Sequence, residues 1–465
     1  VSAKVDLLAL EASRVYRFID LVGRFVREQC ANHAYPVGSL PFLDYVIDLA
    51  DTSKKYLQEG ILDDPNETRE DRLRKISQLL EGWTKLHAFV KPVADANTLR
   101  LPLSFISFSA QHLSKLPNLG GARIAVELIA QMNYLQRPHT PLRAIAEGLA
   151  LKMQEFRPPE LPKVFGIVGL PYSQGSDFFV NCALYHELGH FVYEQRRLRG
   201  SIWATLVPLL MSTFRNLQPT ISQPVLYERC KAHAKFVSPW CEEIFCDLFA
   251  TRMLGPVYTF VFAHLLELIS GEVDESQHHY SPTHPSAVLR LTEQISLLKK
   301  LGWWRVLHDS HDKWLEQIER PTRKRAPRRI YASSYAAAKL SPRYVKKVFL
   351  PALPAIRQLA DETTDGHGIV PARFPELAGK INACLEHGIV PSVVFSVGRR
   401  RDENVITLIN AAYLFYLSHT SALFKIIVGL AERRVSDQAR VRHRIEEWTM
   451  KAIEYLVFGG GGVVR

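Results

Sequence analysis

Cysteine is scarce in this chain, with six in 465 residues and no dense spacing pattern among them. That excludes a disulfide scaffold and fits a reducing compartment. Long hydrophobic runs are absent too. The longest, Ile202–Phe214 and Pro256–Ser270, are too short or are interrupted by His264 and Glu267. Neither approaches the roughly 18–20 apolar residues that span a bilayer, so no membrane insertion is expected. Val1–Asp6 lacks the charged-then-apolar layout of a secretion signal, and a cytoplasmic location is the expectation. Nor is there a compositional mark of disorder: 47% of residues are hydrophobic and 23% charged, as in ordinary soluble globular proteins.

Charge of one sign is in excess, at a formal +11. It is clustered at Arg320, Arg323, Lys324, Arg325, Arg328 and Arg329, with a second knot at Arg399-Arg400-Arg401. Such a patch could meet an acidic partner or nucleic acid between Arg320 and Arg329. However, no aromatic residues interleave the arginines as a stacking platform requires. Pro321 and Pro327 favour a solvated linker instead.

What the chain does have is His186-Glu187-Leu188-Gly189-His190 inside an apolar stretch. Two histidines four apart on a helix point from one face and can reach one metal ion. A glutamate directly after the first sits where a general base for a metal-activated water belongs. With 17 histidines in the chain, accident supplies roughly a few hundredths of such a match. This helix is expected to start after Ser176 and to run to Gly200, with Arg196, Arg197 and Arg199 complementing its dipole.

Two histidines need a third protein ligand. Glu242-Glu243-Ile244-Phe245-Cys246-Asp247 offers one on a helix predicted to start at Ser238-Pro239 and to end near Gly255. Glu243 and Asp247 share a face. Glu243 is the expected ligand and Asp247 the acceptor for a ligand histidine's free ring N–H. Glu242 competes for the ligand role but has no acid four residues on. A third element, Ser281-Pro282-Thr283-His284-Pro285 with Arg290 beyond, could supply an oxyanion donor and an arginine to orient the acids. Tyr280 is the other donor candidate, while His278 and His279 read as surface residues. Cys182 and Cys246 make a thiolate-rich structural zinc site conceivable, although Glu187 would then have no task.

His-Glu-Leu-Gly-His, then Glu-x-x-x-Asp-x-x-Ala, then Thr-His-Pro followed by Arg resembles the gluzincin metallopeptidases. It is most similar to the branch of the CAAX prenyl endopeptidases and the HtpX-like heat-shock proteases. The resemblance spans about residues 160–300 and implies one zinc per chain held by His186, His190 and Glu243. Glu187 would act as base, Asp247 would hold a ligand, and His284 and Arg290 would match the family's supporting residues. The chain departs from that branch in lacking transmembrane helices. His190 and Glu243 are 243 − 190 = 53 positions apart, which fits an inserted helical segment at 201–237.

The expected fold is mainly α (α+β), a zincin-like metallopeptidase core with a short β element. Residues 1–160 read as helical: Val5–Gln29 has apolar residues every three or four positions, and a further helix follows the turn at Asp63–Asn66. A metallopeptidase domain over 161–318, a basic linker over 319–330 and a helical domain over 331–465 complete the organisation. Val164–Leu170, closed by Pro171, reads as a strand, either an edge that holds substrate by strand addition or a plain buried one. The function implied is zinc-dependent hydrolysis of peptide bonds in a protein or peptide substrate. The alternative is a regulatory or binding protein with a structural or vestigial zinc site, its basic segment contacting nucleic acid or a partner protein.

Overall fold

The computed structural model describes residues 6–96, 102–129, 135–137, 139–171, 177–217, 219–270, 283–323, 347, 349–368, 371–395, 401–427 and 435–458. These are mainly helical. The chain divides into two compact units, one of residues 1–114 and 120–176 and the other of 115–119 and 177–465.

The first unit contains α1 (Leu7–Asn32), α2 (Leu40–Lys55), α3 (Arg69–Ala94), α4 (Leu103–Ser114), β1 (Arg123–Ile129), β2 (Leu135–Arg137), α5 (His139–Lys152) and β3 (Phe165–Pro171). Helix α1 is capped by Asp6, whose carboxylate accepts from the Leu8 amide. Its buried residues Ala12, Val15, Ile19, Val22 and Val26 recur at three- and four-residue steps, which lays one stripe against α2 and α3. Trp83 of α3 is fully buried, and its indole N–H donates to Ser53 Oγ at 3.0 Å, so the ring packs without an orphaned donor.

Strand β3 is the middle of a three-stranded sheet, parallel to β1 and antiparallel to β2. All seven of its residues are buried. Its backbone is therefore paired on both sides, and the edge-strand reading of this segment gives way to the buried one. β1 falls where a helix was expected. Ile124-Ala125-Val126 and Leu128-Ile129 form a short apolar run that fits either period, and pairing with β3 decides it.

The second unit contains α6 (Leu184–Gln195), α7 (Leu198–Leu217), α8 (Gln223–Leu254), α9 (Pro256–Ser270), α10 (Ala287–Lys300), α11 (Trp303–Arg323), α12 (Leu353–Thr363), α13 (Phe374–Glu386), α14 (Arg401–Ile427) and α15 (Val435–Phe458). No helix among the described residues is long and apolar enough to cross a membrane.

Two boundaries differ from expectation. Helix α6 stops at Gln195 because Arg197 adopts a left-handed conformation (φ 54°), and Gly200 falls in the first turn of α7 rather than at a helix end. Helix α8 starts at Gln223, fifteen residues before Ser238, and carries Pro239 in its interior. An interior proline costs about 3 kcal/mol. Burial of Val237, Trp240 and Cys241 around it, with Trp240 edge-on to Phe349 at 5.5 Å, offsets that cost. Gly255 does end α8, at φ 75°. Of the basic stretch, residues to Arg323 continue α11, while Lys324, Arg325, Arg328 and Arg329 lie outside the described residues, as does Arg399-Arg400.

Candidate metal centre

Helix α6 packs on α8, where Tyr193 lies tilted on Phe245 at 5.6 Å, and Leu188, Phe191 and Val192 of α6 are buried as well. The approach is close because residue 189 is glycine. A Cβ there would stand 2.9 Å from Cys246 Cα and 3.0 Å from its Cβ. The missing side chain lets the backbone of α6 lie on α8 one turn from the acidic pair.

At that contact the two imidazoles face one carboxylate. His186 Nε2 lies 3.3 Å from Glu243 Oε2, and His190 Nε2 lies 3.4 Å from Glu243 Oε1. The three side chains are 12%, 18% and 8% exposed, so the group is largely shielded yet open on the histidine side. One ligand atom from each lies within 4.8 Å of the other two, and the three form a group that could hold a metal ion. Among the described residues no cysteine joins such a group. Cys182 is buried in the turn before α6, and the Cys246 thiol is pushed up to about 12 by burial against the opposing pull of His190.

Each histidine is held from behind by its own carboxylate. His186 Nδ1 is 3.0 Å from Asp247 Oδ1, and His190 Nδ1 is 3.0 Å from Glu242 Oε1. An ionised carboxylate only accepts, so each ring carries a proton on Nδ1 and turns its Nε2 toward Glu243, the nitrogen that offers a lone pair once the ring is neutral. Glu242 is thus a holder of His190, with Arg199 at 3.7 Å from its other oxygen. It does not take the ligand position for which it competed.

Arg290 binds the acids of α8 together. Its Nε donates to Asp247 Oδ2 at 2.6 Å and its Nη2 to Oδ1 at 2.9 Å, while Nη1 lies 3.2 Å from Glu243 Oε2. The guanidinium also covers the Phe262 ring at 4.8 Å. Burial pushes the Asp247 carboxyl upward, but the charge and hydrogen bonds of Arg290, with His186, outweigh it and bring it down to about 2. The same balance holds Glu243 well below the usual carboxylate range. Both acids are therefore anions.

Even so, buried Glu243 Oε2 makes no hydrogen bond of good geometry, although Arg290 Nη1 lies 3.2 Å and His186 Nε2 3.3 Å away. A buried carboxylate oxygen without a hydrogen bond is costly, and a cation shared with the two Nε2 atoms would satisfy it. The donor set therefore fits a bound metal.

Glu187 sits in the first turn of α6, buried, and no hydrogen bond or ion pair ties it to another described residue. His284 is brought to the same place: its Nε2 lies 3.5 Å from Glu243 Oε1 and its Nδ1 2.7 Å from Thr283 Oγ1, with 47% of the side chain exposed. Ser176, His278, His279, Tyr280, Ser281 and Pro282 lie outside the described residues. The structure adds one residue that sequence reasoning missed. Tyr258 of α9 donates its hydroxyl to Asp247 Oδ1 at 2.6 Å, 3.3 Å from His186 Nδ1. The one signal for it was a tyrosine in a largely apolar helix, where a buried hydroxyl must find a partner.

Comparison of the chain with protein-family models, with curated proteins and with solved structures gives no match.

Proposed function

We propose that this chain is a zinc-dependent endopeptidase with a zincin-like centre, in which His186, His190 and Glu243 hold the metal and Glu187 is the general base. The observation that carries the reading is the convergence of two Nε2 atoms on one buried carboxylate, each ring fixed through Nδ1 by a separate acid. Zinc–nitrogen and zinc–oxygen bonds of about 2.0–2.1 Å in a tetrahedron place ligand atoms about 3.3 Å apart. Each imidazole stands at such a separation from one oxygen of Glu243, His186 from Oε2 at 3.3 Å and His190 from Oε1 at 3.4 Å, and the three ligand atoms lie within 4.8 Å of one another.

A zinc ion bound there supplies a Lewis acid for the scissile carbonyl and lowers the pKa of the attacking water. The Glu187 carboxylate takes the proton of that water and passes it to the leaving amine. His284, on the exposed side of Glu243, donates to the developing oxyanion. Asp247, Arg290 and Glu242 keep the ligands in one orientation, so little reorganisation is needed at the moment of reaction. The substrate is a protein or peptide.

The test is a pair of variants. Glu187→Gln is expected to keep about one zinc per chain and to lose cleavage, read as new N-termini in a cell lysate treated with each protein. His186→Ala is expected to lose the metal. A Glu187→Gln protein that cleaves like wild type removes the mechanism, and stoichiometric zinc in His186→Ala removes the ligand assignment.

A further inference from the structure

The C-terminal part of the chain supplies none of the ligands or acids above, yet one of its side chains reaches the turn next to them. Asn410 of α14 is fully buried. Its Nδ2 donates to Leu254 O at 2.7 Å and to Ile406 O at 2.8 Å, and its Oδ1 accepts from the Val257 amide at 2.8 Å. Leu254 is the last residue of α8, the helix of Glu243 and Asp247, and Val257 precedes Tyr258 in the first turn of α9. One amide thus satisfies the orphaned carbonyl at the end of one helix and the orphaned amide at the start of the next.

The elbow between them is tightly determined. Gly255 takes φ 75° and ψ −150°, a conformation that side chains disfavour. A Cβ on it would lie 3.3 Å from the Trp303 ring and 3.5 Å from Asn410 Nδ2. With α8 and α9 joined at this angle, the Tyr258 hydroxyl meets Asp247 one residue-length from His186 Nδ1.

We propose that Asn410 is a positioning residue for the metal centre, acting from α14 through the α8–α9 elbow and Tyr258 on Asp247 and so on His186. This rests on the metal-centre reading. It gives the C-terminal helices a role in the site without a ligand: they set the angle at which α9 presents its tyrosine.

The experiment is a double-mutant cycle read as zinc affinity by chelator competition, with the unfolding midpoint of the metal-free protein measured alongside. Tyr258→Phe and Asn410→Ala are each expected to weaken zinc about tenfold, the low end for residues behind a ligand histidine. Because Asn410 works through the tyrosine hydroxyl, Asn410→Ala should weaken zinc by less than about twofold in the Tyr258→Phe background. The midpoint should fall by the same amount in both backgrounds, as for packing alone. Multiplicative losses of affinity, or an Asn410→Ala protein with wild-type affinity, would overturn the proposal and leave the metal site standing. A wild-type protein that binds neither zinc nor cobalt overturns both. Should Asn410→Ala not fold, Asn410→Asp, which keeps an oxygen toward the Val257 amide, carries the same comparison with a smaller effect.

Discussion

At the scale of single residues, the centre depends as much on an absent atom as on the charged ones. Gly189 has no Cβ, and the backbone of α8 occupies the space one would take. Gly189→Ala should force the two helices apart, at a cost of about 1–3 kcal/mol for an overpacked contact. Part of the cost would fall on the site, because His190 follows directly and Glu243 lies three residues from Cys246. A calorimetric midpoint and a zinc titration on the same sample test this. Both should fall, and an unchanged zinc affinity would show that the site tolerates a wider separation. Nothing in the spacing of the motif required glycine at that position; the requirement comes from the neighbour, which only the fold reveals.

The elements around α6 also carry a titrating group that is not one of the candidate ligands. Asp177 begins the turn into α6, its carboxylate accepting from the Val180 amide at 3.0 Å. Arg442 of α15 grips that carboxylate at 2.6 and 2.8 Å and Glu446 at 3.0 Å. Burial, then the neighbouring charge of Asp177, raises the Glu446 carboxyl to about 7 against the pull of Arg442. A raised carboxyl means that the folded protein holds a proton the unfolded chain releases near pH 4. The stability it provides is complete below that value and is lost as pH rises through about 7. Glu446→Gln, which keeps an oxygen for Arg442, should remove this slope, worth on the order of 2–3 kcal/mol, when unfolding is followed from pH 5 to 8. A slope equal to that of wild type would mean that the proton sits elsewhere.

The elements were unevenly legible from sequence. Helix α1 and the helix after Asp63–Asn66 follow from apolar spacing and the turn between them, since each buries one face. Helix α8 was legible at its Gly255 end but not at its start, because a serine–proline pair resembles a helix beginning unless burial on all sides outweighs the proline. β1 was missed, since a short apolar run carries no period of its own. In the site, the ligand types and their order could be read from helical repeats, which are local. Asp247 and Arg290 could be read as supports from the same order of residues, but Tyr258 and Asn410 could not, because they meet the site only through the folding of distant segments, and the division of labour between Glu242 and Glu243 depends on how α8 is rotated.

For the whole molecule, every side chain of the centre comes from the second unit. Zinc binding should therefore stabilise that unit by linkage, by about 4 kcal/mol at free zinc a thousand times its dissociation constant. Stripping the metal with a chelator should raise amide hydrogen exchange in α6, α8, α9 and α10 and leave β1, β2 and β3 as they were. Equal deprotection of the sheet would show that the metal's effect spreads beyond the helices that hold it.

Glu242 and Glu243 are consecutive, yet one steadies a ring while the other meets both rings at their free nitrogens. About 100° of rotation along α8 separates the two duties. Gaining one residue ahead of this pair would leave every acid in the sequence yet turn Glu242 into the place of Glu243, and losing one would turn Glu243 into the place of Glu242. The phase of a single helix, more than the inventory of its acids, is what this centre is built on.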